Sequence, residues 1–291
     1  MEFAFSQEQE ELRREARSFL EANADAPLAE LRGLGWLGVS VPEERGGGGL
    51  SFVDEAILFE EAGRALYSGP FLTTAVILPA LAAVDEQAWS VEVDGLVPHL
   101  DTADQVLRED MTAVSAEGET LATVDETRPL GKLVLQEHKL SVDGDFEAVR
   151  LRLLAALALE AVGVAQKALE LGVEYVSSRE QFGKKIGAYQ AVSHPLADTY
   201  VENELARSLA YWAAWCVAED DERAPVAVAA AKSFCAETAV AACERSIQVH
   251  GGIGFTWEHV LHRYYKRAQW IDAFGGHAAK QRELVAAHLL D

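Results

Sequence analysis

Apolar residues change their spacing twice along this chain, and the changes divide it into three regions. Over residues 1–84 they recur at helical intervals: from Ser6 to about Glu21, from Leu28 to Leu37, and again where Phe52, Ile57, Leu58 and Ala62 share one side. Ser6 with Gln9 three positions on has the form of a capping box, which predicts a helix start. Pro42 and the run Gly46 to Gly49 break the period and predict a loop. Over 85–145 the pattern shortens to the β-prone pieces SVEVDGLV, MTAVSA, TLATVDET and KLVLQEHKLSV, parted by turn-forming EG and DG pairs. Six or fewer short strands in a segment of this size predict one small sheet rather than a full barrel or sandwich.

Over 146–291 the helical period returns and lengthens. FEAVRLRLLAALALEAVGVAQKALELGVEYVSS reads as one long helix, and others follow at Ala188–Glu219, Pro225–Val249, Trp257–Phe274 and His277–Leu289. Apolar faces repeated over helices this long predict an antiparallel bundle. The expected class is mainly α: an N-terminal helical domain (1–84), a reduced middle β domain (85–145) and a C-terminal four-helix-bundle domain (146–291).

Composition narrows the functions. Of 291 residues, 49% are apolar and 25% charged, which is globular rather than disordered. The 47 acidic against 25 basic residues leave a formal net charge of −22, which argues against nucleic acid or an anionic membrane surface as a partner. No apolar run of membrane-spanning length stands out, and the acidic, amphipathic start MEFAFSQEQEELRREARSFL lacks the form of a signal peptide, so a cytoplasmic protein is expected. Cys216, Cys235 and Cys243 have neither a CxxC spacing nor an even count and are expected as small core residues.

Two stretches interrupt the bundle. In SSREQFGKKIGAYQ, Arg179, Lys184 and Lys185 form a cation cluster beside Phe182. An arginine suits bidentate phosphate contact and an aromatic can stack on a base; a helix C-terminus with solvated cations would look the same. In QVHGGIGF, glycines without Cβ let backbone N–H groups approach a phosphate, although a turn between helices also uses such a pair.

Together these stretches, RxQFGxxIGxxQ followed by QxHGGxGxTxE, resemble the C-terminal domain of acyl-CoA dehydrogenases. LGWLGVSVPEERGGGGLSFVDEAILFEEAGRAL is similar to the N-terminal domain of that family, and TRPLGKLVL to the end of its middle domain. The resemblance implies FAD as cofactor and an acyl-CoA thioester as substrate. It implies that the ADP half of FAD is gripped by Arg179, Gln181, Phe182, Gln190, Gln248, Gly251 and Gly252, with the flavin ring lying in the neighbouring subunit.

The chain also departs from the family. Where most members carry a catalytic glutamate and a flavin-contacting threonine, this sequence has Gly275 and His277. The alternative glutamate position of some members falls on Leu153. Glu160, two turns on, is the remaining candidate base, against the plainer reading of a partly exposed or interface residue. The TEPxxGSD-like segment is absent and only WSVEVDGLV stands near the WIT-like strand. This combination resembles the short, base-less subunits of heteromeric α2β2 acyl-CoA dehydrogenases, typical of bacterial breakdown of sterol side chains and other bulky acyl groups. No catalytic residue is expected in the chain itself, and a homologous subunit carrying the glutamate is the expected partner. A flavin-free scaffold of the same fold and a homomeric enzyme using Glu160 are the alternatives.

Other residues read as structural. His259 and His262 lack a third metal ligand and are expected as hydrogen-bonded helix-end residues; His194 is expected to close a turn before Pro195. Trp212 and Trp215 suit a core or interface. Arg263, Lys266 and Arg267 suit surface ion pairs or a CoA phosphate, and Arg207 is expected to be neutral to cofactor binding.

Overall fold

A computed structural model describes residues 4–81, 84–134 and 139–290. In the N-terminal region, α1 (Gln7–Ala22) begins at the expected capping box: Ser6 Oγ accepts from the Gln9 amide and the Gln9 side chain accepts from the Ser6 amide. Helix α2 (Leu28–Gly33) stops short of Leu37 because Gly35 and Gly38 adopt φ of +78° and +87°, outside the helical region. The loop containing the glycine run folds back on itself, since a Cβ at Gly47 would lie 2.2 Å from the Val41 carbonyl oxygen. Helices α3 (Phe52–Ala65) and α4 (Phe71–Ile77) follow, α3 opening on a second capping box of Ser51 and Asp54.

The middle region differs from the expected single sheet. Seven strands of two to four residues are described: β1 (Trp89–Val91), β2 (Val97–Pro98), β3 (Gln105–Leu107), β4 (Thr112–Ser115), β5 (Gly118–Leu121), β6 (Leu130–Leu133) and β7 (Leu140–Ser141). They form two sheets, ordered β1-β3-β4-β7 and β2-β6-β5. The reason is visible in SVEVDGLV, which divides at Asp94 and Gly95, both at positive φ, so that β1 pairs with β3 while β2 pairs with β6. The central part of KLVLQEHKLSV lies outside the described residues.

The third region supplies α5 (Phe146–Ser178), a short hairpin of β8 (Glu180–Gln181) and β9 (Lys184–Lys185), α6 (Gln190–Ala218), α7 (Ala224–His250), α8 (Leu261–Ala273) and α9 (Ala278–Leu290). His194 lies inside the first turns of α6 rather than at a turn. At 33 residues α5 is about 50 Å long. It packs against α3, α6, α7 and α8, which is why its alanine-rich sequence is buried on several faces. The segment 224–255, containing α7, has the length and apolar content of a membrane span, but 67% of its most apolar window is buried between other helices. All three cysteines are buried and unpaired.

Two features lock the regions together. First, α3 and α5 meet backbone to backbone: a Cβ on Gly63 would lie 2.1 Å from the Glu160 carbonyl oxygen, and one on Gly163 would lie 1.9 Å from that of Glu60. Second, the Glu160 side chain, 1% exposed, receives two bonds from Arg128 of the β region (2.6 and 2.7 Å) and one from Arg267 of α8 (2.5 Å). Arg267, fully buried, also donates to Asp125 at 2.5 Å and to the carbonyls of Tyr67 and Thr127 at 3.3 Å. Burial alone would raise the Asp125 carboxyl, and Arg267 overrides it to hold that carboxyl low.

Two sequence expectations are corrected here. Glu160 is neither partly exposed nor available as a base, because both its oxygens are committed to guanidinium groups in the interior. Arg267 is not a surface cation. Arg207 bonds Glu60 at 2.9 Å and the Gln166 side chain at 3.1 Å on the joint between α3, α5 and α6, so its removal would also disturb packing.

Glu160→Ala should therefore leave two buried guanidinium groups short of countercharge and cost about 3–5 kcal/mol in denaturant unfolding of the chain. Arg14→Ala, whose only ion pair among the described residues is to exposed Glu11, should stay within about 0.5 kcal/mol of wild type. Equal unfolding midpoints for the two variants would show that the cluster does not hold the regions together.

Candidate functional site

The two interruptions of the bundle are built differently from one another. Arg179 caps α5, its amide donating to the Tyr175 carbonyl at 2.9 Å, and its extended backbone turns the chain into β8. Glu180 pairs with Lys185 and Gln181 with Lys184 across the hairpin. The two connecting residues, Phe182 and Gly183, both take left-handed φ, +53° and +78°, as a two-residue hairpin turn requires. Glycine adopts this readily, whereas a bulky aromatic does so at a strain. The Phe182 ring is also 92% exposed, so nothing within the described chain repays that strain.

Of the other expected contacts here, Gln190 is exposed at the start of α6, while the Gln181 amide is turned onto the Glu180 carbonyl at 2.7 Å. Lys184 lies 4.1 Å over the Tyr189 ring.

At the second interruption α7 ends at His250 and the backbone of Gly251 turns to φ +61°, ψ −138°. The three glycines that follow have different causes. Gly254 is small because a Cβ would lie 2.6 Å from the Ile247 carbonyl oxygen, and Gly251 because of its φ. Gly252 has neither reason: φ is not positive and a Cβ would meet nothing within 4 Å. The lack of a side chain there leaves exposed backbone facing open space. Gln248, one turn before, is exposed beside it.

The fold brings these two loops to one end of the bundle. Tyr175 of α5 stacks on His250 of α7 with centroids 4.3 Å apart, and Val176, Leu196, Ile186, Val192 and Val249 share a small apolar cluster beneath them. Tyr175 carries only a faint sequence signal, an aromatic one helical turn before Arg179. Among the described residues, Arg179, Lys184, Lys185, Arg263 and Lys266 make no ion pair, in a chain where most arginines do. His259 tilts against His250 and His262 against Trp257, and no cluster of three metal-binding side chains occurs among the described residues.

The turn between α8 and α9 has the opposite character. Gly275 has φ +72°, and a Cβ on it would lie 2.6 Å from Leu154 Cδ2. Trp270 stacks on Phe274 at 4.7 Å, and Arg128 sits 4.8 Å over the Trp270 ring. Gln281 donates to the Gly275 carbonyl at 2.9 Å and Lys232 to the Ile271 carbonyl at 2.6 Å. Burial pushes the Lys232 ammonium down to about 8, an unusual interior lysine that caps the end of α8. His277, exposed, pairs with Asp272 at 3.0 Å. Leu153, at the other position where a base would stand, is buried. Packed side chains fill this region; the open, cation-bearing surface lies at the hairpin and glycine loop.

Known proteins share this fold. Residues 6–87 match the acyl-CoA dehydrogenase N-terminal domain and residues 151–290 match the acyl-CoA dehydrogenase C-terminal domain. Acyl-CoA dehydrogenase IpdE2 of Mycobacterium tuberculosis is 37% identical over 78% of this chain and 75% of its own length. Acyl-CoA dehydrogenase FadE34 of the same organism is 36% identical over 92% of this chain, which spans 43% of that longer relative. The ChsE4-ChsE5 complex from M. tuberculosis contains a chain that superposes with a TM-score of 0.86 at 22% identity, covering 100% of this chain and 99% of that one. With a helical N-terminal region, a small β region and a helical bundle in that order, and with both terminal domains matched, the chain belongs to the acyl-CoA dehydrogenase family.

Proposed function

We propose that the chain is the base-less, half-site subunit of a flavin-dependent acyl-CoA dehydrogenase. In this reading it completes the FAD site of a homologous subunit that carries the catalytic glutamate, within an α2β2 assembly acting on an acyl-CoA thioester. One contrast carries the proposal: the hairpin presents cations without ion pairs and Gly252 presents open backbone to solvent, while the position of the base is filled by Gly275, Leu154, Phe274 and Trp270. The heteromeric ChsE4-ChsE5 complex, built on the same fold, supports an unlike partner.

The residues present fit the ADP half of FAD. The Arg179 guanidinium and the backbone at Gly252 would address the diphosphate, the first with charge and the second by close approach, while the Gly251 amide is already bonded to the Gln248 carbonyl. Phe182 would stack on a flat ring or an apolar surface of the partner, which accounts for an aromatic held at positive φ in solvent. Gln190 and Gln248 would supply amide groups at the edges, whereas Gln181 must turn from the Glu180 carbonyl to take part. Bound, the flavin supplies the hydride acceptor for α,β-desaturation, and removal of the α proton falls to the partner's carboxylate. The role of this chain is to bind and orient.

Arg179→Ala in the assembled complex should weaken FAD by roughly ten- to a hundredfold, the worth of one charge-assisted bond. Flavin absorbance per protein after gel filtration reads this out, with Arg14→Ala as the control in place of Arg207. Equal flavin retention in both variants would refute the placement of the site.

Gly275→Glu, although it restores a carboxylate, should not make the isolated chain an enzyme. The new side chain is strained at φ +72° and drives into Leu154, each at about 1–3 kcal/mol. A lower unfolding midpoint and no flavin-dependent oxidation of acyl-CoA are expected; measurable turnover by this variant alone would contradict the loss of the inner half of the site.

A further inference from the structure

A row of rings runs beneath the two loops and has no part in the contacts just assigned. Tyr175, in the last turn of α5, stacks on His250, the last residue of α7, with planes 24° from parallel. His259 continues the row at 4.4 Å. His250 is buried, and its Nδ1 lies 2.6 Å from the Ser246 carbonyl oxygen. A carbonyl at that distance places the ring proton on Nδ1 and stops the imidazole from rotating out of the stack. Ser246 in turn donates to the Ala168 carbonyl of α5 at 2.6 Å, so the pair is tied to α5 from both sides.

Each ring of the first pair sits directly behind a candidate donor. Arg179 is bonded through its amide to the Tyr175 carbonyl at 2.9 Å, and the open backbone of Gly252 lies two residues beyond His250 in the chain. The hairpin beyond Arg179 is two residues per strand and exposed, too small to hold its own orientation. Two donors that address one diphosphate must nevertheless be held within about 0.5 Å of a common geometry.

We infer that Tyr175 and His250 are positioning residues: their stack sets the separation between the Arg179 guanidinium and the Gly252 backbone, so that both reach the same anion. A phenylalanine at 250 would stack but would lack the bond to Ser246 that holds the ring plane, which gives a reason for histidine there. This inference rests on the flavin reading of the site, and its test separates the two.

The measurement is the FAD dissociation constant, by flavin fluorescence, of the complex co-purified with its partner subunit, for four variants. Tyr175→Phe, which keeps the ring, should bind within about twofold of wild type, and Tyr175→Leu should weaken binding about tenfold. Because Tyr175 acts through Arg179, the double variant Arg179→Ala/Tyr175→Leu should bind no more weakly than Arg179→Ala alone. An unchanged constant for Tyr175→Leu, or a full second loss in the double variant, overturns the positioning role while leaving the flavin site intact. An unchanged constant for Arg179→Ala overturns the flavin site and the positioning role with it. Should Tyr175→Leu fail to fold, His250→Gln removes the other ring and is judged by the same outcomes.

Discussion

The carboxylate of Glu160 is the point on which the three regions of this protein converge. Its backbone carbonyl lies against Gly63 of α3, its side chain holds Arg128 from the β region, and Arg267 of α8 reaches it from the bundle. Removing four charges from water is expensive, and such a cluster is stable only when each member is matched. Arg267 meets this condition by binding Glu160 and Asp125 together with two backbone carbonyls. The cluster thus joins the small β region to the bundle through matched, buried charges.

That junction decides what the interior can do. Once Arg128 is drawn in toward Glu160, its guanidinium lies on Trp270, which stacks on Phe274, and the turn at Gly275 is pressed onto Leu154. The place where a base would stand becomes core. The opposite happens at the far end of the bundle, where α5 and α7 end in loops whose cations make no ion pair among the described residues and whose backbone is open at Gly252. In a strongly acidic protein, Arg179, Lys184 and Lys185 stand without ion pairs on one surface, which is the observation behind the proposed anion site.

Much of the fold was legible in the sequence because it depends on local rules. The capping box at Ser6 and the helical periods of α5 to α8 follow from spacing alone, and the loops at Arg179 and Gly251 were found as breaks in that period. What was not legible depends on contacts distant in the chain. Glu160 looks like an ordinary helix residue until Arg128 and Arg267 are brought to it, and Arg267 looks like one of a surface trio with Arg263 and Lys266. The two sheets of the middle region escaped notice because strands of two to four residues carry too little alternation to assign partners. Tyr175 escaped for the same reason as Glu160, since its significance lies in His250, 75 positions away.

The central claim is that this chain holds half of a cofactor site and lacks the other half. It is tested most directly by native mass spectrometry with flavin absorbance, on the chain alone and on the complex it forms with its partner. The account predicts an almost colourless, inactive chain alone and a yellow complex with one FAD for each pair of unlike chains. One FAD per chain in the isolated protein, with turnover of an acyl-CoA, would contradict it.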